Sequence, residues 1–135
     1  MKADLSDLRC VRVLRHRNID HVKFQQTLNG FPIEGAEYLV HVLSDGCIDM
    51  INGTYYQKID ISTKPIVSTR EVFATAMKEL GDSAILRGDT SAVLTIRVRG
   101  NRFFLVWRLT IPSKRPYGLW IFYFDASTGE RLDKR

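Results

Sequence analysis

Two adjoining stretches decide the fold of the N-terminal half: HVKFQQTLNGFPIEG at residues 21–35 and YLVHVLSDG at residues 38–46. In the first, Val22 and Phe24 alternate with polar side chains such as Lys23, and in the second an apolar run ends at a turn. Alternation with a period of two is typical of β-strands. The two stretches therefore predict neighbouring antiparallel strands.

Glycine and proline residues separate these strands. Gly30, Pro32 and Gly35 predict an irregular stretch over residues 29–35, because glycine tolerates positive φ and proline cannot donate to a β-ladder. Residues 44–46 predict a tight hairpin turn. The N-terminal half is thus expected to be an antiparallel meander.

One helix is expected in the second half. Ser68 and Glu71 have the spacing of a capping box, in which the hydroxyl accepts from the Glu71 amide and the carboxylate reaches back to the Ser68 amide. Apolar residues recur at helical spacing from Val72 to Leu80, and Gly81 suits a left-handed C-terminal cap. The pattern predicts a helix of about three turns.

Strands follow the helix. The apolar patterns of residues 92–99, 102–111 and 119–124 predict three of them. Residues 112–116 contain two prolines and predict a loop. A last turn begins at Asp125 and leaves a short strand or a tail.

We therefore predict an α+β fold of two small antiparallel-sheet domains, residues 1–57 and residues 68–135, joined by a linker at residues 58–67. The second domain is expected to have one helix packed on a three- or four-stranded meander.

Composition limits the classes of partner. The net charge is +5, but basic residues are interleaved along strands with 15 acidic residues, which argues against a nucleic-acid partner. No run approaches the roughly 20 apolar residues of a membrane-spanning helix. The first seven residues also lack the apolar core of a signal peptide.

Catalytic and metal-binding signatures are missing from the sequence. The histidines His16, His21 and His41 are isolated and no HExxH occurs, so we expect no catalytic residue, metal site or cofactor. His21 and His41 fall in strands that should pair, which leaves a two-histidine metal site as a less favoured alternative. Cys10 and Cys47 are interpreted either as two free thiols or as one disulfide.

Residues 8–57 resemble the fungalysin/thermolysin propeptide motif. The resemblance is carried by the alternating strand, the Gly-x-Pro-x-x-Gly turn and the Asp-Gly hairpin, that is, by His21, Gly30, Pro32, Gly35, Asp45 and Gly46. Residues 66–133 resemble a PepSY domain. Its motif residues are Ser68, Glu71 and Gly81 around the helix, and Asp125, Ala126 and Gly129 in the last turn.

This order of motifs is similar to prodomains of thermolysin-like zinc metallopeptidases. The resemblance implies a non-enzymatic inhibitor and folding assistant whose partner is the catalytic domain of such a peptidase. It also implies export, with the signal peptide absent from this chain, and a monomeric isolated chain. The alternative is a free-standing extracytoplasmic binding module that inhibits a peptidase in trans or binds a peptide or cell-wall ligand.

Three groups of residues are candidates for contact with the enzyme. The resemblance suggests Gln25 and Gln26, and charge suggests the basic face of Arg97, Arg99 and Arg108. The third group is the tail, in which Glu130, Arg131, Lys134 and Arg135 are expected to leave the sheet and enter the active-site cleft. On this hypothesis a chain that ends at Gly129 would inhibit less strongly but would fold normally.

Overall fold

The computed structural model describes residues 7–134, so the first six residues and Arg135 lie outside the description. Its strands are β1 (Leu8–His16), β2 (Ile19–Leu28), β3 (Phe31–Val42), β4 (Ile48–Gly53), β5 (Ile85–Leu86), β6 (Ser91–Arg99), β7 (Arg102–Arg115), β8 (Tyr117–Asp125) and β9 (Arg131–Lys134). The helix α1 (Thr69–Leu80) lies between β4 and β5.

Tight turns connect the first three strands. Arg17 and Asn18 have φ of 52° and 63°, and Asn29 and Gly30 have φ of 51° and 86°. Two consecutive residues with positive φ match the right-handed twist of an antiparallel pair. The irregular stretch predicted for residues 29–35 is therefore reduced to a two-residue turn, after which β3 begins.

A bulge in β3 redirects that strand. Gln25 pairs with Glu37, whereas Thr27 pairs with Pro32, so the register shifts between these two pairs. Gly35 lies within the shift and has a φ of 80°, which glycine adopts without steric cost. The bulge lets the first part of β3 reach a different neighbour from the last part.

The two halves of β3 have separate partners on the edge away from β2. Residues 38–42 pair with β4, and Ile33 pairs in parallel with Ile96 of β6. The result is one nine-stranded mixed sheet in the order β1-β2-β3-β6-β7-β8-β9, with β4 on β3 and β5 on β7.

The predicted α+β fold with two separate sheets is wrong. Strands make up 59% of the described residues 7–134 and the helix is short, so this part of the chain is mostly β. The bridge between Ile33 and Ile96 joins the two expected sheets, because Ile33 and Ala36 are fully buried beside Ile96. The limits proposed for the two segments, residues 1–57 and 68–135, stay a prediction.

The helix forms where the capping pattern places it. The Ser68 hydroxyl accepts from the Glu71 amide at 3.2 Å and contacts the Glu71 carboxylate at 3.4 Å. Gly81 ends α1 with a φ of 109°, but its ψ of 159° lies outside the left-handed helical region. The predicted loop at residues 112–116 is instead largely strand, because β7 continues through Pro112.

Two apolar clusters form the core. The first packs Val72 and Ala76 of α1 on β7 and β8, and the second surrounds Ile33 and Ile96. Trp107 contacts both clusters. The segment predicted as a linker also packs here, with Ile59 and Ile61 against the second cluster.

Candidate functional site

Gln26 clamps the chain that leaves β4. Its side chain is 1% exposed. Its Oε1 accepts from the Tyr56 amide at 2.9 Å, and its Nε2 donates to the Tyr56 carbonyl at 2.8 Å and to Asp7 Oδ2 at 3.3 Å. A buried amide that lost these partners would carry a desolvation penalty, so the clamp fixes the path of residues 54–57.

Gln25 stabilises the bulge itself. Its Nε2 donates to the Ile33 carbonyl at 2.7 Å and to the Ala36 carbonyl at 3.2 Å, two groups that the register shift takes out of the β2–β3 ladder. The two glutamines of the motif thus hold together the segment that contains Pro32 and Gly35. Their predicted contact with an enzyme stays a prediction.

His21 and His41 face each other across β2 and β3. They are cross-strand partners, and their Nδ1 atoms are in contact with the rings edge to face. Asn52 Nδ2 lies 3.5 Å from His41 Nε2. Within residues 7–134 no cluster of three or more His, Cys, Asp or Glu residues could hold a metal ion.

Both cysteines are free and exposed. Cys10 lies in β1, and Cys47 follows the turn in which Asp45 Oδ1 accepts from the Cys47 amide at 2.9 Å and Gly46 has a φ of 88°. Because β2 and β3 separate β1 from β4, the two residues are at least three strand spacings apart, roughly 14 Å or more. A disulfide needs Cα atoms within about 7 Å, so the free-thiol interpretation fits this fold.

Arg97 is the centre of an ionic network on the sheet face opposite α1. It pairs with Glu34 at 3.1 Å and with Asp133 at 3.6 Å, and its guanidinium lies 4.0 Å from the centroid of the Tyr123 ring. These contacts join β3, β6, β8 and β9. The guanidinium of Arg97 therefore serves the fold, and an enzyme contact at this position stays a prediction.

The other two arginines of the predicted basic face differ from Arg97. Arg99 is exposed near the β6–β7 turn. Arg108 is half-buried, and its Nε has no hydrogen-bond partner within the described part of the chain.

The turn after β8 fastens the start of the helical segment to the sheet. Asp125 Oδ1 accepts from the amides of Ser127 and Thr128. The Ala126 carbonyl accepts from the amides of Ile66 and Val67, both at 2.9 Å. Gly129 has a φ of 79°, with the Val67 side chain beside it.

The tail does not leave the sheet. Residues 131–134 form β9, which pairs antiparallel with β8. Arg131 forms an ion pair with Glu79 of α1, and the Lys134 ammonium lies 5.0 Å from the Trp120 ring. The expectation that the last turn directs this segment away from the sheet is wrong, because backbone pairing with the free edge of β8 satisfies its polar groups.

We expect a chain that ends at Gly129 to lose stability. It would lack the β9 ladder, the Arg131 ion pair and the Asp133 contact to Arg97, together about 2 kcal/mol. For a chain of this length the thermal midpoint should fall by roughly 6 °C, measured by circular dichroism.

The matched control for this deletion keeps the backbone. The double substitution Arg131→Ala with Lys134→Ala removes two charged side chains but preserves the ladder, so its midpoint should fall by less than half as much. An unchanged midpoint for the shortened chain would mean that β9 contributes nothing to the fold.

Comparison with known proteins gives the site its context. Residues 19–55 match the family described as the Fungalysin/Thermolysin Propeptide Motif. The chain carries a fungalysin/thermolysin propeptide motif. It is also 26% identical to Bacillolysin from Brevibacillus brevis in an alignment 135 residues long, which covers 92% of this chain and 26% of that protein. The chain thus spans about a quarter of the length of that relative.

The propeptide motif and the similarity to Bacillolysin confirm the resemblance to a propeptide region of thermolysin-like peptidases. The resemblance of residues 66–133 to a PepSY domain stays a prediction. A solved structure, the Bacillus megaterium YpeB C-terminal domain, aligns with this chain with a TM-score of 0.51 and 15% sequence identity. The alignment covers 96% of this chain and 56% of the chain in that structure. That likeness concerns the fold alone.

Sequence reasoning missed several residues that organise the site. Tyr56 acts through its backbone, which no sequence pattern marks. Glu34 and Asp133 are acidic residues in strands, and only the fold brings them to Arg97.

Among residues 7–134 no helix is long and apolar enough to cross a bilayer.

Proposed function

We propose that this chain is a propeptide that inhibits a thermolysin-like zinc metallopeptidase and assists its folding. The observation that carries the proposal is the propeptide motif at residues 19–55, supported by similarity to Bacillolysin across 92% of the chain. The partner would be the catalytic domain of the peptidase, and the site of action would be extracytoplasmic after export.

The chain's own residues suit a binding role. Hydrogen bonds from Gln25 and Gln26 hold the bulge in β3 and the segment after β4 in place, and a surface that is already ordered loses little conformational freedom when it binds. Inhibition requires only that the bound chain exclude substrate. Assistance in folding requires that it bind a near-native form of the enzyme more tightly than the unfolded form.

The direct test is inhibition of an active peptidase. The purified chain, titrated against Bacillolysin of Brevibacillus brevis, should slow cleavage of a peptide substrate and should form a complex that survives gel filtration. An interface of standard size, about 1,200–2,000 Å², supports such stability. Unchanged cleavage at micromolar chain, with no complex, would contradict the proposal.

Folding assistance needs a separate measurement. Denatured peptidase should recover more activity when the chain is present during refolding and is then removed by dilution. Equal recovery with a chain that inhibits would limit the function to inhibition.

A further inference from the structure

An apolar groove of about 460 Å³ lies on one face of β1–β4. We call it the β1–β4 groove. Its walls are aromatic and aliphatic, and the side chains that line it include Phe24, Tyr38, Val40, Ile48, Ile51 and Tyr55.

The groove is open to solvent. Ile48 and Ile51 are 59% and 54% exposed, and Val13, in register with Val22 and Val40 on the same face, is 58% exposed. The helix packs instead on β7 and β8. A contiguous apolar surface of this kind marks a site of interaction.

Charge differs between the two strands at the edges of the groove. Residues 8–17, which include β1, contain four arginines and no acidic residue, whereas residues 44–53, which include β4, contain two aspartates and no basic residue. Within residues 7–134, Arg15 alone among these arginines forms an ion pair, with Asp20 at 3.6 Å. The register places Arg15 on the groove face, whereas Arg9 and Arg12 pair with Gln25 and Lys23 and lie on the opposite face, so these two charges do not face an occupant of the groove.

The propeptide motif builds this surface. The matched residues 19–55 include all six of the lining residues named above. The clamp between Gln26 and Tyr56 also holds the segment that follows Tyr55 in place. The part of the chain that resembles peptidase propeptides is thus the part that forms the groove.

We infer that the β1–β4 groove binds the catalytic domain of the thermolysin-like peptidase, an inference that rests on the function proposed above. The occupant is an apolar segment of that domain. A groove of this size forms the centre of an interface, where buried apolar anchors contribute most of the affinity.

Two neighbouring positions in β4 give a matched pair of variants. Ile51 points into the groove, whereas Met50 lies on the other face, with Asn52 Nδ2 at 3.4 Å from its Sδ. Their exposures are 54% and 51%, so an aspartate at either position should perturb folding to a similar degree. The inhibition constant against Bacillolysin should rise at least 30-fold for Ile51→Asp and less than threefold for Met50→Asp.

A second groove variant and a charge variant complete the experiment. Ile48→Asp should weaken inhibition as strongly as Ile51→Asp does. Agreement between the two variants would exclude misfolding of one of them as the cause, and the thermal midpoint of each variant is measured as a check. Arg12→Glu changes a charge on the opposite face of β1, in register with Lys23, so it should change the inhibition constant less than threefold.

The outcomes separate the two proposals. If the natural chain inhibits and Ile51→Asp inhibits equally well, the groove is not the contact and the proposed function stands. If the natural chain does not inhibit at all, the proposed function fails and the inference fails with it. A concentration-dependent dimer that Ile51→Asp makes monomeric would assign the groove to a second copy and overturn the peptidase as its occupant.

Discussion

Trp107→Ala should lower the free energy of unfolding by about 3 kcal/mol or more. The indole contacts both apolar clusters, and its Nε1 donates to the Val67 carbonyl at 2.8 Å. Truncation of a tryptophan in a core costs about 3–5 kcal/mol, and the value at Trp107 is expected near the lower limit because its side chain is only half-buried. Urea unfolding followed by circular dichroism measures the loss.

Two control variants divide this effect into its parts. Trp120→Ala removes an indole that packs against the first cluster only, so we expect roughly half the loss. Trp107→Phe keeps an aromatic ring but leaves the Val67 carbonyl without its donor, at a cost of about 1 kcal/mol. Equal losses for Trp107→Ala and Trp120→Ala would show that Trp107 does not couple the two clusters.

Local signals in the sequence predicted local structure well. The helix begins after Ser68 and ends before Gly81, because an N-terminal cap and a glycine stop each act on residues within about one turn of their own position. The Asn29–Gly30 turn likewise depends only on which residues tolerate positive φ. These interactions connect residues that are close together in the sequence, so the local sequence pattern is enough to predict them.

The same reasoning could not predict which strands pair when they are distant in the sequence. The bridge from Ile33 to Ile96 spans more than sixty positions, and the alternation of β6 is equally compatible with a separate sheet. The burial of Ile33 and Ala36 favours a single sheet over two separate ones, but periodicity does not show which strand a buried side chain faces. The joining of the two expected sheets into one follows from that contact.

The candidate site likewise combines residues that the sequence motif marks with contacts that only the fold creates. The motif drew attention to Gln25 and Gln26, yet their roles depend on carbonyl groups that the bulge and the exit from β4 present to them. The tail was predicted to be free because it is polar and short. Asp133 nevertheless lies against Arg97, a contact that exists only once β9 pairs with β8.

Gly53→Ala should destabilise the N-terminal half of the sheet by about 3 kcal/mol. Gly53 ends β4 with a φ of 140°, and a Cβ at this position would lie 2.0 Å from the Glu37 carbonyl oxygen and 2.8 Å from the Tyr38 Cα. Both are backbone atoms, so the clash cannot be relieved by a side-chain rotation. The Glu37 carbonyl also accepts from the Thr54 amide at 3.0 Å, a bond that the displacement would break.

The stability change of Gly53→Ala combines crowding, about 1–3 kcal/mol, with the strain of a non-glycine residue at positive φ, about 1–2 kcal/mol. Gly46→Ala is the matched control, because Gly46 also has a positive φ, of 88°, but no atom lies within 4 Å of its added Cβ. It should therefore show the strain without the crowding and lose about 1 kcal/mol. Urea unfolding gives both values, and hydrogen exchange at the Leu39 amide, which points to β4 as the Glu37 carbonyl does, reports whether β4 has separated from β3. If the two variants lose the same stability, the close approach of Gly53 to Glu37 is not what holds β4 in place; if Gly53→Ala loses more and exchanges faster, the groove loses one wall.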